Sequence, residues 1–206
     1  MDLNTVIARA LETPARETRK MIAVVGAPGA GKSTISAPLL AGLAKAGARA
    51  AVIPMDGYHL DDRILGPRGD LPRKGEPHTY DVGGFRAMID RVARGDTVYI
   101  PVFDRSREIA IAGAEEIGAE IDTLVVEGNY LLLQDGDWAG IADRWDISLF
   151  LDVPEEVLER RLMARWRDLG MSEDQARTKV AGNDLINMRT VLDRSAPADI
   201  TVPNGG

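Results

Sequence analysis

One glycine-rich run, Gly26-Ala27-Pro28-Gly29-Ala30-Gly31-Lys32-Ser33, limits what this chain can fold into more than any other feature. It fits the pattern G-x-x-x-x-G-K-[ST], and Thr34 follows. Before it stands the continuous apolar run Met21-Ile22-Ala23-Val24-Val25, which predicts a strand buried on both faces. After it, Ile35, Leu39, Leu40 and Leu43 share one face of an expected helix. Glycines let successive backbone N–H groups turn inward around phosphate oxygens, and the helix N-terminus adds its positive end. Lys32 then supplies a point charge for the β- and γ-phosphates of ATP, and the Ser33 hydroxyl can ligate Mg²⁺. Residues Gly26, Ala27, Pro28, Gly29, Ala30, Gly31, Lys32, Ser33 and Thr34 are the expected ATP-binding set. A chance Gly-Lys-Ser in an ordinary turn is the bland alternative, and the two flanks argue against it. Pro38, inside the helix, is expected to kink it locally.

Further apolar runs follow: Ala50–Ile53, Val98–Ile100, Thr123–Val126, Ile147–Leu151 and Ile200–Val202. Helical stripes lie between them, Phe85, Met88, Ile89 and Val92 in one and Leu158, Leu162 and Trp166 in another. Buried strands alternating with amphipathic helices predict an α/β fold with a mainly parallel central sheet between helical layers. This is the three-layer α/β/α arrangement of P-loop NTPases. With 206 residues, one domain over 1–206 is expected, opened by an amphipathic helix over 1–20.

Composition excludes several chemistries. There is no cysteine, so thiolate metal sites, disulfides and cysteine nucleophiles are absent, and the two histidines, His59 and His78, do not have zinc spacing. The net charge of -7 argues against a general nucleic-acid binder. No basic-then-apolar leader and no apolar stretch of ~18 residues is present, so a cytoplasmic protein without a membrane span is expected.

What a phosphate loop does with its nucleotide depends on the residues around it. The second run leads into Pro54-Met55-Asp56-Gly57-Tyr58-His59, which places Asp56 at the carboxyl end of a parallel strand, where such sheets bind ligands. There Asp56 can take the proton of an attacking hydroxyl, although capping a following helix is the competing use. Thr123-Leu124-Val125-Val126-Glu127-Gly128-Asn129-Tyr130 repeats the order strand, acid, glycine, so Glu127 is a candidate for holding Mg²⁺. A third strand end, Phe103-Asp104-Arg105-Ser106-Arg107, is expected to bring Asp104 and Arg107 to the same rim.

The segment from Pro154 to Arg167 reads as a helix with Leu158, Leu162, Trp166 and Leu169 as its buried stripe. Arg161 and Arg165, four apart, lie on one flank and suit a lid that meets charge on a transferred phosphoryl group. Pairing with the helix's own glutamates is the alternative. Lid helices are expected over 154–182 and a substrate loop over 57–81. From Arg63 to Lys74 there are four basic residues and one acid, a local +3 that suggests a polar or anionic acceptor.

These pieces together resemble the family of uridine kinase, phosphoribulokinase and bacterial pantothenate kinase. The matching stretches are Gly26–Thr34, Asp56-Gly57-Tyr58-His59, Pro77-His78-Thr79-Tyr80-Asp81, Pro101–Asp104, Glu127–Tyr130 and the arginine helix. Within it, Met55–Asp62 and Asn183-Asp184 resemble a bacterial subgroup labelled as kinases of fructose transport systems. The resemblance implies Asp56 as catalytic base, Lys32 and Ser33 on ATP·Mg²⁺, Glu127 near the metal, and Arg161 and Arg165 in the lid. Tyr58, His59, Tyr80, Asp104 and Arg107 are the expected acceptor contacts. Uridine kinases usually carry an aromatic residue and a histidine after the aspartate that ends the third strand; Arg105-Ser106-Arg107 follows Asp104 here, which favours a more polar sugar or an anionic acceptor over an unmodified nucleoside.

The expected activity is transfer of the ATP γ-phosphate to a hydroxyl of a small metabolite such as fructose, a nucleoside or pantothenate. The competing class is a P-loop NTPase acting as a nucleotide-dependent switch, with no acceptor. No Asn-Lys-x-Asp stretch of GTPases and no Leu-Ser-Gly-Gly-Gln-like stretch of transporter ATPases occurs. The sequence leaves the oligomeric state open, a homodimer included.

Overall fold

The chain alternates strand and helix because its apolar runs are too short and too β-branched to be anything but buried strands. The computed structural model describes residues 3–205. Five strands form one parallel sheet: β1 (Lys20–Val25), β2 (Ala50–Pro54), β5 (Thr123–Gly128), β6 (Ile147–Asp152) and β7 (Ile200–Pro203), in the order β2-β5-β1-β6-β7. β1 sits in the middle, and Met21 to Val25 are all buried. In register, Val25 lies opposite Gly128 on one side and Phe150 on the other, while Pro54 lies opposite Glu127. The carboxyl ends of β1, β2 and β5 therefore finish side by side, at the one edge where a parallel sheet gathers strand-end residues.

Helices α2 (Lys32–Lys45), α3 (Asp62–Arg68), α4 (Val82–Ala93), α5 (Glu155–Asp168), α6 (Glu173–Lys179) and α7 (Leu185–Arg194) follow the strands, after an opening helix α1 (Leu3–Glu12). α1 rests on α2 at Gly42, where an added Cβ would meet the Ile7 side chain at 2.2 Å. That close approach is why a glycine, otherwise costly in a helix, stands in the middle of α2. α2 runs without a break through Pro38. Among the described residues no helix is long and apolar enough to cross a membrane.

Two expectations are corrected. The helix expected over 1–20 ends at Glu12, because Pro14 pushes Thr13 out of the helical region. The end is capped from outside: the Lys20 ammonium donates to the carbonyls of Ala10 (2.7 Å) and Leu11 (2.9 Å). The start of that helix and of the domain at Met1 and Asp2, and the domain's end at Gly206, lie outside the described residues.

The run Val98–Ile100, expected in the parallel sheet, belongs instead to β3 (Val98–Asp104), which pairs antiparallel with β4 (Ile109–Ile117) in a separate hairpin. The sequence hides β4, since its Ala-Gly-Ala-Glu-Glu stretch is poor in strand formers. The hairpin bends between Ile100 and Val102, at Pro101, which has no N–H to give a ladder. There it seats on the sheet's edge turn: a Cβ on Gly57 would stand 2.1 Å from the Pro101 carbonyl oxygen.

Candidate active site

The glycine turn forms as its spacing requires. Gly29 and Gly31 take the left-handed conformation (φ 82° and 84°), which turns their neighbours' N–H groups inward, and Gly31 caps α2. Lys32 folds back over the loop, its Nζ donating to the carbonyls of Gly26 (2.9 Å) and Ala27 (3.2 Å) and to Asn129 Oδ1 (2.6 Å). Burial lowers the Lys32 pKa to about 8, against the upward pull of Asp56 and Glu127.

At the end of β5, Glu127 accepts from both neighbouring hydroxyls of α2: Ser33 Oγ on one carboxylate oxygen and Ser36 Oγ on the other, each at 2.8 Å. A hydroxyl and a carboxylate brought together beside a phosphate cradle fit Mg²⁺, which takes one or two protein oxygens plus phosphate oxygens and water. Among the described residues no cluster of three or more His, Cys, Asp or Glu could hold a metal alone.

β2 runs into a short 3₁₀ turn, Met55–Tyr58, which carries Asp56. Burial alone would raise the Asp56 carboxyl, but His59 when protonated, Arg105 and Lys32 outweigh it and hold the pKa below the usual carboxylate value. The Arg105 guanidinium donates directly to Asp56 Oδ2. His59 Nδ1 donates to the Asp56 carbonyl (2.7 Å), and the ring lies between Tyr80 (4.1 Å) and Phe103 (4.5 Å). Burial pushes the imidazole below its ordinary pKa although Asp56 pulls it up.

A cleft of about 500 Å³ opens over these groups. Its lining includes Lys32, Ser33, Thr34, Asp56, His59, Tyr80, Glu127 and Arg165, so the strand ends, the phosphate loop and one lid arginine come together. Other expected residues stand elsewhere. Tyr58 packs edge-on against Phe85 (5.2 Å) and is not in the lining. Asp104 and Arg107 pair with each other in the hairpin turn (2.7 Å), where hydrogen bonds from Ser106 and Arg107 lower Asp104 to about 2. From the same turn, Arg105 and Glu108 reach the cleft instead.

The two arginines expected in a lid also differ. Arg161 donates to the carbonyls of Gly29 (3.3 Å) and Asn204 (3.0 Å), and Asn204 Nδ2 donates to Ala30 O (2.7 Å). Arg161 thus ties the loop to the turn after β7. Arg165 faces the cleft, where burial and nearby Arg105 lower its pKa against Asp184 and Asp56.

The expected buried stripe of α5 is corrected as well. Leu169 is half exposed, and Trp166 lines the cleft, its Nε1 donating to Asp184 (2.5 Å). Burial raises the Asp184 pKa in spite of that bond. Asp184 closes a π-helical turn, Val180–Asp184, that also brings Asn183 to the cleft; α7 adds Asn187. Lys74 enters from the loop expected to take the substrate, held by Asp62 and by the Glu108 carbonyl, both at 2.6 Å. Neither Asn129 nor Asn187 was singled out from sequence, since an asparagine next to a strand end or on a helix carries no signal of its own.

No family model matches the chain. It is 31% identical over 195 residues to an uncharacterised protein of Escherichia coli, covering 94% of this chain and 81% of that one. A Schizosaccharomyces pombe protein provisionally named uridine kinase is 30% identical over 205 residues, covering 94% of this chain and 87% of its own. A crystal structure from Silicibacter sp. TM1040, of a protein provisionally described as a fructose transport system kinase, superposes with a TM-score of 0.95 at 46% identity, covering 98% of this chain and 100% of that one. The chain belongs to the P-loop kinase family of uridine kinase and pantothenate kinase, and it is an ATP-dependent small-molecule kinase.

Proposed function

We propose that the chain transfers the γ-phosphoryl group of ATP to a hydroxyl of an uncharged, sugar-like metabolite, with Asp56 as general base. The observation that carries this is the convergence of Asp56, Lys32, Glu127 and Arg165 on one cleft at the carboxyl ends of β1, β2 and β5. Lys32 and the loop amides meet the β- and γ-phosphates, and Arg165 meets charge that develops on the transferred group. Ser33 and Glu127 would hold Mg²⁺, which supplies charge neutralisation on the phosphates. Asp56, kept ionised at neutral pH by the cations around it, takes the hydroxyl proton as the new P–O bond forms and the bond to ADP breaks.

Charge pairing supports an uncharged acceptor over a sugar phosphate. Three of the four basic residues of the loop are answered by acids: Arg63 by Asp61 (2.8 Å), Arg73 by Glu76, and Lys74 by Asp62. Widened to 61–76, the stretch holds four basic and four acidic residues, so the local +3 vanishes. The Silicibacter relative's description, a fructose transport system kinase, agrees with a sugar.

The test is label transfer from γ-³²P-ATP, with Mg²⁺, to a panel of free sugars, polyols and sugar acids, their phosphates, uridine, cytidine and pantothenate. A labelled free sugar or polyol with the highest kcat/KM is expected. A nucleoside, pantothenate or phosphorylated substrate in that place would overturn the acceptor class. Hydrolysis that no acceptor stimulates would favour the nucleotide switch.

A further inference from the structure

The proposed base is already occupied. We propose that Arg105 latches Asp56: its guanidinium holds the carboxylate until an acceptor hydroxyl displaces it, which denies water the proton acceptor needed to hydrolyse ATP. This rests on Asp56 being the base.

The pair is built from two pieces of backbone that lean on each other. Gly57, next to Asp56, lets the Pro101 carbonyl approach so closely that a Cβ would stand 2.1 Å from its oxygen. From Pro101 the hairpin runs to the turn that presents Arg105. Asp104 fixes that turn: its Oδ1 accepts from Ser106 N (2.9 Å), Ser106 Oγ (2.7 Å) and Arg107 N (3.2 Å), and its Oδ2 from Arg107 Nε (2.7 Å). On the far side Lys74 Nζ holds the Glu108 carbonyl at 2.6 Å. Asp104, Arg107 and Lys74 thus set the turn, from which Arg105 and Glu108 reach the cleft while Asp104 and Arg107 do not.

The side chain can leave without the turn moving. The Arg105 side chain is 50% exposed and that of Asp56 25%, and an ion pair open to solvent on one side is weakly held. An acceptor hydroxyl donating to the carboxylate replaces the guanidinium's hydrogen bond in kind. Water does so too, but without the other contacts that fix an acceptor in the cleft it competes poorly with a tethered arginine. The suppressed reaction is attack of a water oxygen on the γ-phosphorus as the bond to the ADP oxygen breaks. The water proton passes to Asp56 and then to solvent. If the pair only fastens the hairpin, removing the guanidinium leaves that rate alone.

The experiment measures ADP release from ATP·Mg²⁺ with no acceptor present. Arg105→Met keeps the stem and removes the charge; it should raise hydrolysis at least about tenfold, beneath the ~10²–10⁴ that a proton acceptor contributes. Arg105→Lys should fall between this variant and wild type. In Asp56→Asn the Arg105→Met increase should disappear. Should Arg105→Met lose ATP affinity by calorimetry, Arg105→Gln is read in its place. A wild-type rate in the charge-free variant that still binds ATP overturns the latch, as does an increase that survives Asp56→Asn. Asp56→Asn alone separates the two readings: normal acceptor phosphorylation there removes the base assignment whatever Arg105 does.

Discussion

The two walls of the cleft are fastened in different ways. On the nucleotide wall, cations and amides hold backbone carbonyls: Lys32 those of Gly26 and Ala27, Arg161 those of Gly29 and Asn204, and Asn204 that of Ala30. On the acceptor wall, charged side chains hold one another, Arg105 with Asp56 and Lys74 with Asp62. A carbonyl frame keeps its shape when the ligand leaves. Ion pairs between side chains exchange partners when one arrives. On the proposed assignment, the triphosphate would meet a fixed cradle, whereas the acceptor would enter by replacing existing bonds.

The largest effect is expected from Lys32→Ala. With no charge at the β- and γ-phosphates, phosphotransfer should fall by on the order of 10²–10³ in kcat. Near wild-type kcat would remove the cradle from the scheme.

The lid arginines come next, and they should now part company. Arg165→Ala should lower kcat by about 10–10² with little change in ATP affinity, since Arg165 meets charge that develops during transfer. Arg161→Ala should weaken ATP binding and lower Tm more than kcat at saturation, because Arg161 braces the loop. Calorimetry and kcat measured on both variants decide; the reverse pattern contradicts the assignment.

A smaller effect concerns protons. Lys32 titrates at about 8 in the folded protein, below its ordinary 10.5, so between those values the unfolded chain binds more protons and stability rises with pH. Bound phosphates restore the lysine's charge. ATP binding at pH 8 should therefore take up about half a proton, read by calorimetry in buffers of different ionisation enthalpy. Uptake that is absent at pH 8 would place the Lys32 ammonium outside the phosphate field.

The smallest expected effects test the hairpin seat. Gly57→Ala drives a Cβ into Pro101 backbone and should destabilise by roughly 1–3 kcal/mol. Gly66→Ala, in α3 with nothing within 4 Å, should be neutral or stabilise by up to about 1 kcal/mol. Equal melting shifts in the two variants would argue against a tight seat.

Much of the nucleotide wall was legible in the sequence because it is contiguous: the loop, its strand and its helix stand within Met21–Leu43. Asp56 and Glu127 were legible for a related reason, since a parallel sheet collects the residues that follow its strands. The acceptor wall was not. The +3 window ended one residue short of Asp62 and two short of Glu76, the partners that cancel it. Asp104 and Arg107 have the composition of a rim, yet a turn lets them satisfy each other and hand the cleft to Arg105. β3 showed itself as an apolar run, but pairing is a long-range property, and β4 lacked the residues that announce a strand. Nothing local distinguishes Asn129 or Asn187 from any surface asparagine.

Asp56→Asn tests the central claim most directly, because it keeps size and hydrogen bonding while removing proton acceptance. The measurement is kcat for phosphorylation of the best acceptor, alongside ATP affinity by calorimetry. The expected result is unchanged ATP binding and a kcat lower by on the order of 10²-fold or more. Normal ATP binding with most of kcat retained would contradict the assignment of Asp56 as the base.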